Sequence, residues 1–135
     1  MAEIILSNRM QALTDMVTPG TVITDVGCDH GFVSVYLVQK GISPRVIAMD
    51  VRSGPLEHAR EHIREYGLED RIETRLSDGL HSLKTGEAAG MICAGMGGPL
   101  MEKILTEGRE QAKGFRELIL QPQSEIPHFR TCLID

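Results

Sequence analysis

The stretch Thr21–Gly31, TVITDVGCDHG, decides how the chain reads. Thr21, Val22, Ile23 and Thr24 form a β-branched run suited to a buried strand, which Asp25 and Val26 complete. Gly27-Cys28-Asp29-His30-Gly31 is a glycine turn, and an apolar, helix-like segment opens at Phe32. A strand that breaks on glycine and feeds a helix leaves backbone N–H groups free at the mouth of an open α/β sheet. Ligands of such sheets bind at that mouth, beyond the carboxyl ends of the strands.

Outward from this turn the pattern repeats. Residues 6–17 carry Leu6, Met10, Leu13 and Met16/Val17 at helical spacing behind Ser7, a fitting N-cap. Residues 32–40 read as a helix, 45–50 (RVIAMD) as a strand, and 53–66 as a helix with Pro55 in its first turn. Strands follow at 71–76, about 90–94 and 117–120, with a helix over about 100–111 between the last two. The tail after Gln121-Pro122 begins another helix by its pattern. Strands alternating with helices predict right-handed crossovers and a mainly parallel sheet with helices on both faces. No further strand follows, so one sheet edge is left open, and residues 1–135 read as the N-terminal part of something longer.

Composition narrows the class. The chain has 135 residues, 41% of them hydrophobic and 24% charged, which suits one globular domain. There is no run of about 18 apolar residues and no signal-peptide pattern, so a cytoplasmic location is expected. Cys28, Cys93 and Cys132 are odd in number and sit in or beside apolar runs, as reduced thiols do. A metal site on Cys28, Asp29 and His30 is disfavoured, because neighbours in sequence rarely converge on one ion. The formal charge of −5, with basic residues scattered, argues by itself against nucleic acid.

Carboxylates then select the ligand. A dinucleotide fingerprint, G-x-G-x-x-G, brings bare backbone to the pyrophosphate at its second glycine. Here that position is Asp29, whose charge would repel a pyrophosphate and disfavours a nucleotide-dependent oxidoreductase. S-adenosylmethionine carries a sulfonium and an ammonium and no phosphate, so carboxylates around the turn suit it. Asp50 ends the second strand nineteen residues beyond Gly31, where such folds place an acceptor for ribose hydroxyls. Asp78, before Gly79, ends the third strand and either accepts from an adenine amino group or shapes a turn. Ala94-Gly95-Met96-Gly97-Gly98 is the fourth strand's rim loop, where glycines let a ligand or base lie against backbone. Met96 either wedges beside a flat ring or packs in the core. Gln121-Pro122 ends the fifth strand on the same rim, its amide set to meet a base edge or to cap the turn. His30 is expected to face a helix or solvent.

These residues resemble a known family. LSNRM (6–10), DVGCDHG (25–31), SGPLEHA (53–59), RLSDGL (75–80), AGMGG (94–98) and LILQPQ (118–123) are similar to the bacterial tRNA adenine-N1 methyltransferases acting on adenine 22. The resemblance covers nearly the whole chain. It implies a Rossmann-like class I methyltransferase sheet lacking its last strands, S-adenosylmethionine as cofactor and tRNA as substrate. It places the cofactor on Asp25, Gly27, Asp29, His30, Asp50, Asp78 and Gly79, and Gly31, Ala94 and Gly95 of the two glycine turns are expected to join them. The substrate base falls to Met96, Gly97, Gly98, Gln121 and Pro122, and Asp29 is the candidate catalytic group. Cys28 replaces a commoner serine, and Asp50 a frequent glutamate. The family continues into further strands and a helical extension, so gripping tRNA is expected to need that region. A methyltransferase of another RNA or small molecule, and a non-catalytic cofactor-binding module, stay open.

Overall fold

The computed structural model describes residues 4–122. Five strands form one sheet in the order β3-β2-β1-β4-β5, every neighbouring pair parallel. They are β1 (Ile23–Val26), β2 (Val46–Asp50), β3 (Ile72–Leu76), β4 (Gly90–Met96) and β5 (Glu117–Pro122). The helices are α1 (Asn8–Asp15), α2 (Phe32–Gln39), α3 (Ser53–Glu65), α4 (Gly98–Glu107) and α5 (Arg109–Ala112). The helix expected after Pro122, and Cys132, lie outside the described residues.

Strand alternation sends side chains to two separate cores. Ile23, Val46, Ala48, Ile92 and Ile119 pack with Leu13 of α1, Val35 and Leu37 of α2, and Leu56, Ala59 and Ile63 of α3. Val26, Ile47, Met49, Met91 and Cys93 pack with Leu80, Leu83 and the α4 residues Met101 and Ile104. Helices therefore cover both faces, and every residue of β1 and β2 is buried. Continuous apolar runs are the mark of strands enclosed on both sides. Ser7 caps α1 as expected, its hydroxyl accepting from the Met10 N–H at 3.3 Å. Just beyond α1, the Thr18 N–H and hydroxyl both donate to the Glu117 carboxylate, at 3.0 Å each, and tie that end to β5.

Several boundaries differ from expectation, among them the start of β1, at Ile23 rather than Thr21. The helix expected over 100–111 is two, α4 and α5, divided at Gly108. Leu80 packs so close there that a Cβ on Gly108 would lie 2.7 Å from the leucine Cβ. The fourth strand runs on to Met96 rather than stopping at Ala94, because β5 also extends to Pro122 and keeps pairing with it. The register slips between Ala94 and Met96, so Gly95 bulges outward while Met96 re-enters the ladder. AGMGG is thus the end of a strand and the start of α4, not a free loop.

Candidate functional site

The order β3-β2-β1-β4-β5 reverses between β1 and β4, where crossovers leave in opposite directions and a crevice opens. A cleft of about 850 Å³ lies there, within the size range of small-molecule sites. Asp25, Gly27, Asp29, His30, Asp50, Asp78, Gly79, Ala94, Gly95, Met96 and Gly97 all line it. Gly31, Gly98, Gln121 and Pro122 do not. Gly31 caps α2, Gly98 is buried in the first turn of α4, and Gln121 and Pro122 pair with Ala94 and Met96 along β5. Among the described residues the buried Gln121 Oε1 has no hydrogen-bond partner.

Backbone shape follows from what packs behind the turn. Gly27 has φ +74°, and a Cβ there would run into the Met96 Cε. Gly31 has φ +79°, and its Cβ would stand 3.0 Å from that of Ala59 on α3. Only glycine combines the left-handed conformation with these approaches. Between them Asp29 has φ +53°, the only non-glycine positive φ among the described residues. Aspartate tolerates that region better than most side chains.

Asp50 fixes the turn against β2. Its carboxylate, 1% exposed, accepts from the Asp29 N–H through Oδ2 at 3.0 Å and from the Arg52 N–H through Oδ1 at 2.9 Å. Arg52 Nε donates to the same Oδ1 at 3.3 Å. The first duty of Asp50 is therefore structural, joining the end of β2, the glycine turn and the entry to α3. Oδ1 thus has two donors, while Oδ2 has one and keeps a second lone-pair site for a ligand hydroxyl. Asp29 keeps its own carboxylate in the open, 57% exposed, with Arg52 Nη2 at 3.8 Å and His30 Nε2 at 3.9 Å.

Asp25 is buried, and the Ser34 hydroxyl donates to its Oδ2 at 2.8 Å. Burial pushes its carboxyl up to about 6; the Ser34 bond opposes this, and the Asp50 and Asp29 charges reinforce it. Burial likewise raises the thiols of Cys28 and Cys93 far from the reactive thiolate range. Among the described residues no three histidine, cysteine or carboxylate groups converge as metal ligands. Asp78 is exposed on the rim beyond β3, beside Ser77, whose hydroxyl donates to the Gly79 carbonyl at 2.9 Å.

The sequence reading missed one wall of the cleft. Ile5, Leu6, Ser7, Met10 and Leu13 line it from the N-terminal segment, and Phe32, Val33, Leu100 and Ile104 add further apolar lining. Ile5 is 92% exposed, an apolar residue ahead of a helix that nothing in the core accounts for. His30 stacks on His58 of α3 with centroids 5.1 Å apart, so it faces a helix as expected. The i, i+4 spacing of His58 and His62 was a readable signal that one face of α3 carries rings.

The donor set fits a cationic, phosphate-free cofactor. Carboxylates stand around the glycine turn, bare backbone faces the cleft at Gly27, and Asp29 occupies the place where a pyrophosphate would need backbone alone. Comparison with known proteins agrees in kind. The profile of a family described as a methyltransferase domain matches residues 6–135. A curated tRNA (adenine(22)-N(1))-methyltransferase of Bacillus subtilis is 36% identical over 133 residues, 98% of this chain and 56% of its own length. The crystal structure of the tRNA methyltransferase TrmK of B. subtilis superposes with a TM-score of 0.90 at 35% identity, covering 98% of this chain and 56% of that one. A Streptococcus pneumoniae protein crystallised with S-adenosyl-L-methionine gives 0.92 at 33%, covering 96% and 61%. The chain thus spans little more than half the length of these relatives.

Proposed function

Because the chain belongs to the methyltransferase-domain family, we propose that it binds S-adenosylmethionine and methylates N1 of an adenine in tRNA. The observation that carries the cofactor is Asp29, a carboxylate on the glycine turn at the β1/β4 switch point, with Asp50 and Asp78 on the neighbouring strand ends. The relatives named above support the substrate. Asp50 would accept from the ribose and Asp78 from the adenine amino group, while Asp25, Gly27, His30, Gly79, Ala94 and Gly95 would complete the cofactor's surroundings. Gly31 would act from behind, setting the shape of the turn. When bound, S-adenosylmethionine supplies an electrophilic methyl group on a good leaving group.

The protein's part is alignment. Adenine N1 presents an in-plane lone pair, so no base has to deprotonate it first. Holding N1 in line with the methyl lets effective molarity supply on the order of 7–11 kcal/mol. Methylation leaves the base cationic, and the open carboxylate of Asp29 stabilises that charge as it develops. Met96 and Gly97 at the cleft wall would hold the base, with Gly98, Gln121 and Pro122 supporting them from outside it. N1 lies on the pairing edge, so a paired target must first leave its helix, at a few kcal/mol.

The test is incubation with methyl-labelled cofactor and total tRNA, followed by digestion and mass spectrometry. 1-Methyladenosine at one position is the expected product. Label on another atom or on small molecules alone would move the substrate. Cofactor binding with no transfer to any RNA, in a chain of the relatives' full length, would favour a binding module.

A further inference from the structure

We propose that the rings of His30, Phe32, His58 and His62 form a stacking platform for an unpaired RNA base next to the target adenine; the proposal rests on the tRNA reading above. Four rings meet where the glycine turn crosses α3. His30 lies parallel to His58, 5.1 Å away at 6°, and stacks on Phe32 at 5.9 Å and 22°. Phe32 stacks in turn on His62 at 4.6 Å and 28°. His30 and Phe32 line the cleft; His58 and His62 do not, so the rings lead from its mouth onto the surface of α3.

The arrangement is held in place. His62 Nδ1 lies 2.7 Å from the His30 carbonyl oxygen, and the turn sits so close to α3 that a Cβ on Gly31 would stand 3.0 Å from that of Ala59. It is also accessible: Phe32 is 40% exposed, the His30 side chain 45%, and His58 is exposed.

Charge selects the occupant. Asp29, Asp50 and Asp78 line the cleft and disfavour phosphate contacts there, so a nucleic acid at this mouth is better held through its bases. Flat rings do that without regard to sequence, and imidazole or phenyl faces serve as stacking partners. The reaction also creates the need. Extruding an adenine strips its neighbour of one stacking partner, and a ring surface at the cleft mouth restores it.

The experiment uses two short single-stranded RNAs with one adenine, carrying fluorescent 2-aminopurine on its 5′ or its 3′ side. Stacking quenches 2-aminopurine. Protein is expected to quench one of the two probes, and His58→Ala to weaken RNA binding about 5- to 100-fold and relieve the quenching. His58→Phe, which keeps a flat face, is expected to restore both. Cofactor affinity by calorimetry should change less than RNA affinity in either variant, since His58 is outside the cleft and reaches it only through His30. No quenching of either probe, or RNA affinity in His58→Ala equal to that of the unaltered protein, overturns the platform. Methyl transfer that persists in that case leaves the proposed function standing. Quenching that depends on His58, with no methyl transfer to any RNA, overturns the proposed function and keeps the platform.

Discussion

Asp25, Asp29 and Asp50 lie within one cleft wall and do three different things. Asp25 is the one that opposes folding at neutral pH. Its carboxyl is raised from 3.8 to about 6, so the folded state holds the proton more tightly than the unfolded chain. That contribution to stability is complete below about pH 4 and lost as pH rises through about 6. Asp25→Asn keeps an acceptor for Ser34 and removes the buried charge. It is expected to raise stability at pH 7.5 by about 1–3 kcal/mol and to add nothing at pH 4, read from urea unfolding at both. Equal shifts at the two pH values would mean repacking rather than charge removal. Asp29→Asn keeps shape and loses charge, so kcat should fall about a hundredfold, about 2.7 kcal/mol, with cofactor affinity changing less. Normal turnover on bound tRNA would remove Asp29 from the mechanism. Asp50→Ala should weaken cofactor binding by about 1–3 kcal/mol in calorimetry. The structure adds a second cause to that loss, since the same carboxylate holds the turn through the Asp29 N–H.

At the scale of elements, the rim is only as firm as the segments carrying it. Residues 77–89, which hold Asp78, contain no helix or strand and are pinned to β3 by Arg75. Its guanidinium donates to both Glu87 oxygens, at 2.7 and 2.6 Å, and to the Ser82 carbonyl at 2.9 Å, while Nε donates to Glu73 at 2.7 Å. This clamp holds the Glu87 carboxyl down at about 2. Here the sign is opposite to that of Asp25: the stabilisation is present above about pH 4.5 and lost as pH falls through about 2. Arg75→Met is expected to cost about 1–3 kcal/mol and to speed amide exchange in residues 77–89 before the rest of the sheet. Uniform exchange across the domain would show that the segment is held by Leu80 and Leu83 instead. Gly31→Ala tests the junction of turn and α3, where left-handed φ and the 3.0 Å approach to Ala59 act together. A loss of roughly 1–2 kcal/mol or more is expected.

For the molecule as a whole, charge and length point the same way. The 135 residues carry −5, while binding tRNA means neutralising several phosphates. The chain also spans 56% of the curated Bacillus relative. Residues 1–135 are therefore expected to bind S-adenosylmethionine but to grip tRNA more weakly than the complete relative does. Filter-binding titrations of both at two salt concentrations check this. Equal affinities and equal salt slopes would mean that this part of the fold holds the RNA unaided. No helix among the described residues is long and apolar enough to cross a membrane.

The sheet was legible in the sequence because strands enclosed on both faces are written as short apolar runs, and helices between them as a different period. The placing of the glycine turn and of Asp50 and Asp78 at the sheet rim was legible for the same reason, since a strand end is set by place along the chain. What the chain order does not encode is which surfaces meet. The N-terminal segment lines the cleft, β5 draws β4 on to Met96, and Leu80 divides α4 from α5 at Gly108. Asp50 binds the turn before it binds any ligand, and His30 finds His58 across 28 residues. Each of these depends on distance between atoms far apart in sequence, and only the packed tertiary structure sets that distance.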